Sequence, residues 1–262
     1  MTQYLPLSFR NAVLATVIFV GVSAVLWVPA IPQDPDYHRF ADQRSVYGVS
    51  HFFNVISNLP FIAVGVSGLL VLFKTTRSAA IVREMISAYR LFFAGIIGVG
   101  IGSIYYHLEP SNETLIWDRM PMTVSFMAFF SIILAEYISA KLARWLFYPL
   151  VLIGVYSVIH WYLTELNGQG DLRLYGLIQF LPLLLMPLIL VLYRGRFSNG
   201  YYYWLFFALY ALAKVSEAYD AEVYRILPGI SGHTLKHLLA ALGCAVFLVQ
   251  IKQRRQGSSG VS

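Results

Sequence analysis

Long apolar segments recur along the whole chain, about eight of them, and short polar connections join them. A helix needs roughly 20 mostly apolar residues to cross the hydrocarbon of a bilayer. Charged residues make up 12% of the chain, whereas soluble domains carry about 25%. Because a backbone in lipid must satisfy its own hydrogen bonds, segments this long and this uniformly apolar are helices rather than barrel strands. The pattern therefore predicts an all-α, polytopic membrane helix bundle.

The predicted spans cover residues 11–30, 49–73, 89–107, 121–139, 145–163, 174–193, 201–219 and 233–251. They leave no room for a separate soluble domain, so we predict a single transmembrane domain over residues 1–262, with a cytoplasmic tail at 252–262. The first span ends at Pro29-Ala30-Ile31-Pro32 rather than at a small-x-small cleavage site, which favours a membrane span over a signal peptide. Cys244 is the sole cysteine, which excludes an intrachain disulfide and a cysteine-based zinc site.

Lysine and arginine are distributed unevenly between the two sides of the predicted bundle. With the N-terminus inside, the inner segments hold twelve basic residues, namely Arg10, Lys74, Arg77, Arg83, Arg90, Lys141, Arg144, Arg194, Arg196, Lys252, Arg254 and Arg255. The outer segments hold five, namely Arg39, Arg44, Arg119, Arg173 and Arg225. The positive-inside rule then predicts that both termini are cytoplasmic. This bias also explains the net charge of +6, so no nucleic-acid partner is predicted. The compact loops and the lack of a targeting signal favour a bacterial inner membrane.

Polar and ionisable side chains inside membrane spans are costly, about 2.5–3.5 kcal/mol for a charged residue, and are therefore candidates for function. Ser103 and His107 lie four residues apart at the end of the third span, and His233 and His237 lie four apart at the start of the last one. A spacing of four places each pair on one helix face. Both pairs reach the outer end of the predicted bundle, where Asp118 follows across a short loop at the entrance to the fourth span.

Three neutral imidazoles with an open fourth position are the usual composition of a catalytic zinc site. The sequence therefore predicts Zn²⁺ held by His107, His233 and His237, with bound water available as hydroxide at neutral pH. Asp118 is predicted to accept the water's proton and return it to a leaving group. Ser103 is predicted to hydrogen-bond the water or to stabilise an oxyanion.

Further polar residues reach the same level of the predicted bundle: Asn54, Ser57 and Asn58 on the second span, and Glu217 and Asp220 at the end of the seventh. The three on the second span are either part of the site or interhelical hydrogen-bonding residues, which are common in membrane proteins. The two acidic residues are either loop residues or partners that orient the imidazoles. Lys236 is predicted to face away from the two histidines beside it, toward a phosphate or lipid headgroup.

Four motifs follow one another along the chain: FFNVISNLPF, GIGSIYYH, WDRMPM and HTLKHLLAALG. Their order and spacings resemble the alkaline ceramidase family, which belongs to a superfamily of seven-helix membrane hydrolases with the adiponectin receptors and the Per1-type proteins. The resemblance covers residues 49–251 and implies a seven-helix catalytic core, to which the first span is an addition. It implies hydrolysis of the amide bond of ceramide to a sphingoid base and a fatty acid. The implied site is zinc held by the three histidines, completed by Ser103 and Asp118.

Calcium is the point at which the sequence departs from the family. Some members bind Ca²⁺ through acidic residues near the start of the core, including a glutamate three residues before the position of Asn54. That position is His51 here. Asp34, Asp36 and Asp42 lie upstream without a clear alignment, so the resemblance does not extend to calcium.

Other functions stay open at this level. The adiponectin-receptor kinship allows a receptor or sensor in which zinc is structural and turnover is slow. The Per1 kinship allows a lipid esterase instead of an amidase. A retinal-type pigment would need Lys214 or Lys236 as its Schiff base, and a transporter is disfavoured because the hydropathy shows no internal repeat. If the protein is a ceramidase-like amide hydrolase, its predicted partner is a lipid substrate, ceramide or another N-acyl lipid.

Overall fold

A computed structural model describes residues 5–74 and 81–255, so predicted inner residue Arg77 and most of the predicted tail lie outside the described residues. The helices are α1 Leu7–Trp27, α2 Phe52–Ile56, α3 Leu59–Lys74, α4 Ile86–Leu108, α5 Asn112–Tyr137, α6 Ala140–Leu166, α7 Arg173–Leu192, α8 Tyr201–Ala218, α9 Asp220–Ile226 and α10 Gly232–Gln253. Seven helical segments within the described ranges are long and apolar enough to cross a membrane. The prediction of an all-α, multi-pass membrane bundle is confirmed.

The predicted span at 201–219 forms α8, Tyr201–Ala218. It contains four tyrosines and the charged residues Lys214 and Glu217, and it is not among the segments that meet the criteria for crossing a membrane. The helix nevertheless packs along α10 and belongs to the bundle. Its charged residues contribute to the site described below.

The start of α5 differs from the prediction, which began this span at residue 121. A capping box begins the helix earlier: the Thr114 amide donates to Ser111 Oγ at 3.3 Å, and the Ser111 amide donates to Thr114 Oγ1 at 3.1 Å. The charged residues around Asp118 lower the apolarity of this stretch, so a hydropathy window misses it. Asp118 therefore lies inside α5 rather than at its entrance.

Glycines on α4 let it approach α5 closely. A Cβ at Gly102 would overlap the carbonyl oxygen of Trp117, and a Cβ at Gly95 would overlap Ser125 Oγ. Removing the side chain at these positions allows the two backbones to come together, as is common between membrane helices. The contact at Gly102 sets the last turns of α4 directly beside the turn of α5 that carries Asp118.

A buried ion pair joins the helices at the opposite end of the bundle from the histidines. Arg254 Nη1 lies 2.8 Å from Glu136 Oε1, and the two side chains are 0% and 2% exposed. The hydroxyls of Tyr89 and Tyr203 donate to the same carboxylate at 2.5 and 2.7 Å. These contacts tie the end of α10 to α4, α5 and α8.

Candidate metal centre

Three buried histidines meet where α4 ends and α10 begins. The Nε2 atoms of His107 and His233 lie 3.2 Å apart. With His237, the ring centroids form a nearly equilateral triangle with sides of 4.9, 5.0 and 4.8 Å. One ring nitrogen of each lies within 4.8 Å of the others. The structure thus brings together the three residues that the spacing argument selected.

The arrangement of nitrogen donors fits a divalent transition metal. Zinc–nitrogen bonds of 2.0–2.1 Å at a tetrahedral angle place two ligand nitrogens about 3.3 Å apart, and the His107–His233 Nε2 distance is 3.2 Å. Among the described residues, these three histidines form a group whose ligand atoms lie close enough together to hold one metal ion. They can therefore bind a metal ion.

The connection between α2 and α3 supplies hydrogen-bond partners for His237. Ser57 Oγ lies 2.8 Å from His237 Nδ1 and donates to the carbonyl oxygen of Asn54 at 3.0 Å. Because the hydroxyl proton is used there, Ser57 accepts from His237 Nδ1–H, which leaves Nε2 unprotonated as a metal ligand. Asn58 Nδ2 donates to the same carbonyl at 2.7 Å. Asn54 Oδ1 accepts from Thr234 Oγ1 at 2.7 Å and so links α2 to α10.

We expect Ser57→Ala to weaken zinc binding by about tenfold to a hundredfold, because hydrogen-bond partners of ligating histidines have effects of this size. The affinity is measured by competition with a chromophoric chelator. Ser131→Ala is the matched control, since Ser131 is also buried but bonds to Met127 O within α5. Equal zinc affinity of wild type and Ser57→Ala would show that this hydroxyl does not orient His237.

Asp118 and Ser103 lie on the facing surfaces of α5 and α4. Both side chains are buried. Together with His237 they line a cavity of about 370 Å³. The carboxylate, the hydroxyl and an imidazole of the metal centre therefore face one space.

Lys236 lies at the centre, and the prediction that it faces away from the histidines was wrong. Its Nζ lies 3.0 Å from His233 Nε2 and 2.9 Å from Glu217 Oε1. Residues three apart share a helix face, and the four-carbon side chain extends the reach of the charge. Lys214 contacts the other oxygen of Glu217. Glu217 thus acts on the site through a lysine rather than through an imidazole.

Asp220 binds backbone groups rather than an imidazole. Its Oδ1 accepts from the His233 amide at 2.7 Å, and its Oδ2 accepts from the Ala41 amide at 2.8 Å. The adjacent Phe40 is 5% exposed, and its ring centroid lies 4.7 Å from that of His107 and 4.4 Å from that of His233. The segment before α2 therefore covers two of the histidines, which no periodic pattern in the sequence predicted.

An arginine holds this covering segment in place. Arg44 bonds Asp42 through Nε at 2.8 Å and Nη2 at 2.5 Å, and Nη2 also donates to Gly229 O at 2.8 Å. Burial opposes ionisation of Asp42, but the hydrogen bonds and charge of Arg44 outweigh it and lower the pKa of the Asp42 carboxyl. Asp34 accepts from the Asp36 amide, and Asp36 pairs with Arg39. The acidic residues considered for calcium thus have protein partners.

Arg119 was counted as an outer-loop charge in the prediction, but it is buried inside α5 and lines the cavity. Its guanidinium lies 4.2 Å from the Trp161 ring centroid and 4.8 Å from that of Tyr175. Nη2 donates to Gln33 Oε1 at 2.7 Å. The predicted span began at residue 121, after Arg119, so the prediction placed this arginine in a loop.

The cavity continues into the apolar interior of the bundle. A second space of about 90 Å³ shares Phe61, Val99, Met122, Tyr210 and Ala240 with the first as lining residues. Its further walls are Phe92, Ile96, Ser125, Phe126, Phe129, Phe206 and Cys244. An elongated, largely apolar space therefore leads away from Asp118 between the helices.

A comparison with known families matches residues 43–260 of the chain to the family described as Ceramidase. The matched region contains every residue of the metal centre and leaves α1 outside. A comparison with curated proteins finds no match. Since the family match covers most of the chain and agrees with the motifs identified above, this chain belongs to the ceramidase family.

Proposed function

We propose that this protein is a zinc-dependent hydrolase that cleaves the amide bond of ceramide within the membrane. The observation that carries the proposal is the convergence of His107, His233 and His237 beside Asp118 and Ser103, at one end of an elongated apolar cavity. Membership of the ceramidase family supports the choice of substrate. The products would be a sphingoid base and a fatty acid.

The residues around the histidines have the chemistry that amide hydrolysis needs. Zinc, when bound, supplies an activated water at neutral pH and polarises the substrate carbonyl. Asp118 accepts a proton from the attacking water and returns it to the nitrogen as the C–N bond breaks. Ser103, which lines the same cavity as this carboxylate, donates its hydroxyl proton to the carbonyl oxygen as negative charge develops there.

The surroundings of the cavity suit a lipid. Its lining includes Tyr175, Gly176 and Gln179 of α7 and, across from them, Tyr210 and Ala213 of α8. Helix α7 packs mainly on α1, α5 and α6, which leaves the side between α7 and α8 for a lipid to enter from the bilayer. The apolar extension would then hold a hydrocarbon chain.

We further propose that the whole chain forms one transmembrane domain with both termini in the cytoplasm. The metal centre would then face the periplasmic side of a bacterial inner membrane. The distribution of basic residues supports this orientation: without Arg119, which is buried inside α5, twelve lie in the predicted inner segments and four in the outer ones. The histidines also lie at the end of the bundle opposite the Glu136–Arg254 pair, as the orientation requires.

Metal analysis of the detergent-purified protein tests the centre. We expect about one zinc per wild-type chain, and loss of most of it in His107→Ala, His233→Ala and His237→Ala, because each removes one of three ligands. His160→Ala on α6 is the control and keeps its zinc. A folded wild type that takes up no zinc after stripping and reloading would contradict the proposal.

The substrate is tested by quantifying both products after incubation with ceramide and, in parallel, with a diacyl phospholipid. The proposal expects equal amounts of sphingoid base and fatty acid from ceramide. Fatty acid released from the phospholipid alone would favour ester hydrolysis instead.

A further inference from the structure

The cavity beside the metal centre carries a surplus of positive charge. Its charged lining residues are the carboxylates Asp118 and Glu217 and the cations Arg119, Lys214 and Lys236. Three cations against two carboxylates leave one positive charge uncompensated, before the charge of any metal is added. Charges enclosed among apolar side chains are costly unless they are paired. The lining therefore favours an anionic ligand.

Glu217 holds two of these cations at one place in the cavity. Lys236 Nζ lies 2.9 Å from Glu217 Oε1, and Lys214 contacts Oε2. One carboxylate charge is thus shared between two ammonium groups, so the three side chains together remain cationic. The side chains come from neighbouring helices, α8 and α10, which pack along each other, and the shared carboxylate brings the two ammonium groups together.

Lys236 has hydrogen-bond donors available for a ligand. An ammonium has three N–H donors, of which one is directed to Glu217 and another to His233 Nε2, 3.0 Å away. That nitrogen is a ligand atom in the proposed zinc centre, so metal binding removes an acceptor from Lys236. Two donors are then free beside the space that Ser103 and Asp118 also line.

We propose that Lys236 and Lys214, held by Glu217, bind the carboxylate of a fatty acid. The inference rests on the proposed amide hydrolysis for the origin of the acid. There, water adds to the carbonyl carbon, the C–N bond breaks, both protons of the water pass to the nitrogen, and the products are a carboxylate and an ammonium group. The carboxylate would be held by the ammonium groups while its chain lies in the apolar space. The ammonium product is repelled by the same charges, so the sphingoid base leaves first and the fatty acid last.

Binding of oleate to the full-length, zinc-loaded protein in detergent tests this without turnover, since a fatty acid is a product. Oleyl alcohol has the same chain without the charge. We expect Lys236→Met to weaken oleate binding by about tenfold to a hundredfold, the range for hydrogen bonds to charged groups, and to leave oleyl alcohol binding unchanged. Lys252→Met, exposed near the other end of α10, is the matched control and changes neither. The same binding measurements are repeated on zinc-stripped protein, in which the metal no longer attracts the carboxylate.

Equal oleate binding by wild type and Lys236→Met overturns the inference, as does equal affinity of zinc-stripped wild type for oleate and oleyl alcohol. Lys214→Met is expected to weaken oleate binding in the same direction by a smaller factor, because the Lys214 side chain is 40% exposed. It decides the question if Lys236→Met does not fold. Ceramide hydrolysis without selectivity for oleate rejects the carboxylate site alone, whereas selectivity for oleate without hydrolysis rejects the proposed reaction alone.

Discussion

We expect Asp118→Asn to lower the rate of ceramide hydrolysis by about a hundredfold to ten-thousandfold, the usual contribution of a general acid–base residue, while zinc content stays at the wild-type level. Asparagine has nearly the same shape as aspartate, but it cannot take a proton from water. Turnover is measured from the release of sphingoid base, and zinc is measured on the same preparation.

A matched control for this substitution lies on the same helix. Glu113 is exposed in the first turn of α5, so Glu113→Gln removes a carboxylate of α5 without changing the cavity, and we expect it to leave turnover unchanged. Near-wild-type activity of Asp118→Asn would remove the residue from the proton transfer. Loss of zinc from the same variant would instead make the carboxylate part of the metal's coordination.

The proximity of the histidines could be predicted from the sequence because two independent patterns agree. The four-residue spacings put Ser103 with His107, and His233 with His237, on single helix faces. The distribution of lysine and arginine then places both faces at the same end of the bundle. Neither argument requires knowledge of which helices are neighbours. Both also hold when the predicted ends of a span are wrong by several residues.

The charged part of the cavity could not be predicted in the same way. Asp118 and Arg119 lie in a helical turn that a hydropathy plot shows as a polar connection, because the plot averages hydropathy over many residues. The capping box at Ser111 begins the helix at a single position, which such an average does not detect. Lys236 was judged from the direction of its helix position, but the end of a lysine side chain can lie far from its Cβ. The direction of such a charge depends on its partner, Glu217, on another helix.

Phe40 shows a different limit of the sequence. It lies in an irregular segment, so neither a period of 3.6 nor one of 2 marks it as buried. Its position over His107 and His233 follows from long-range hydrogen bonds, from the Ala41 amide to Asp220 and from Arg44 to the Gly229 carbonyl oxygen. Contacts of this kind are made between segments that are distant in sequence, and only the folded chain brings them together.

Close packing of α4 on α5 makes Gly102 a sensitive position for activity. We expect Gly102→Ala to lower turnover by about a hundredfold, because its Cβ would overlap the carbonyl oxygen of Trp117 and come within 3.3 Å of the Asp118 amide. Backbone atoms cannot rotate away, so the turn of α5 that carries Asp118 must shift. A displacement of about 1 Å in a catalytic group can cost this much in rate.

Zinc content and thermal unfolding separate this effect from a general loss of structure. Alanine is a better helix former than glycine by about 1 kcal/mol, so a loss of activity in Gly102→Ala has to come from packing. Gly243→Ala on α10 is the control, since its Cβ would meet its nearest neighbour, Phe206 Cδ2, at an ordinary 3.6 Å. We expect both variants to keep zinc, because none of the three histidines lies on α5, the helix whose turn is displaced. Full activity in Gly102→Ala would mean that the packing of α4 on α5 at this turn does not limit the reaction.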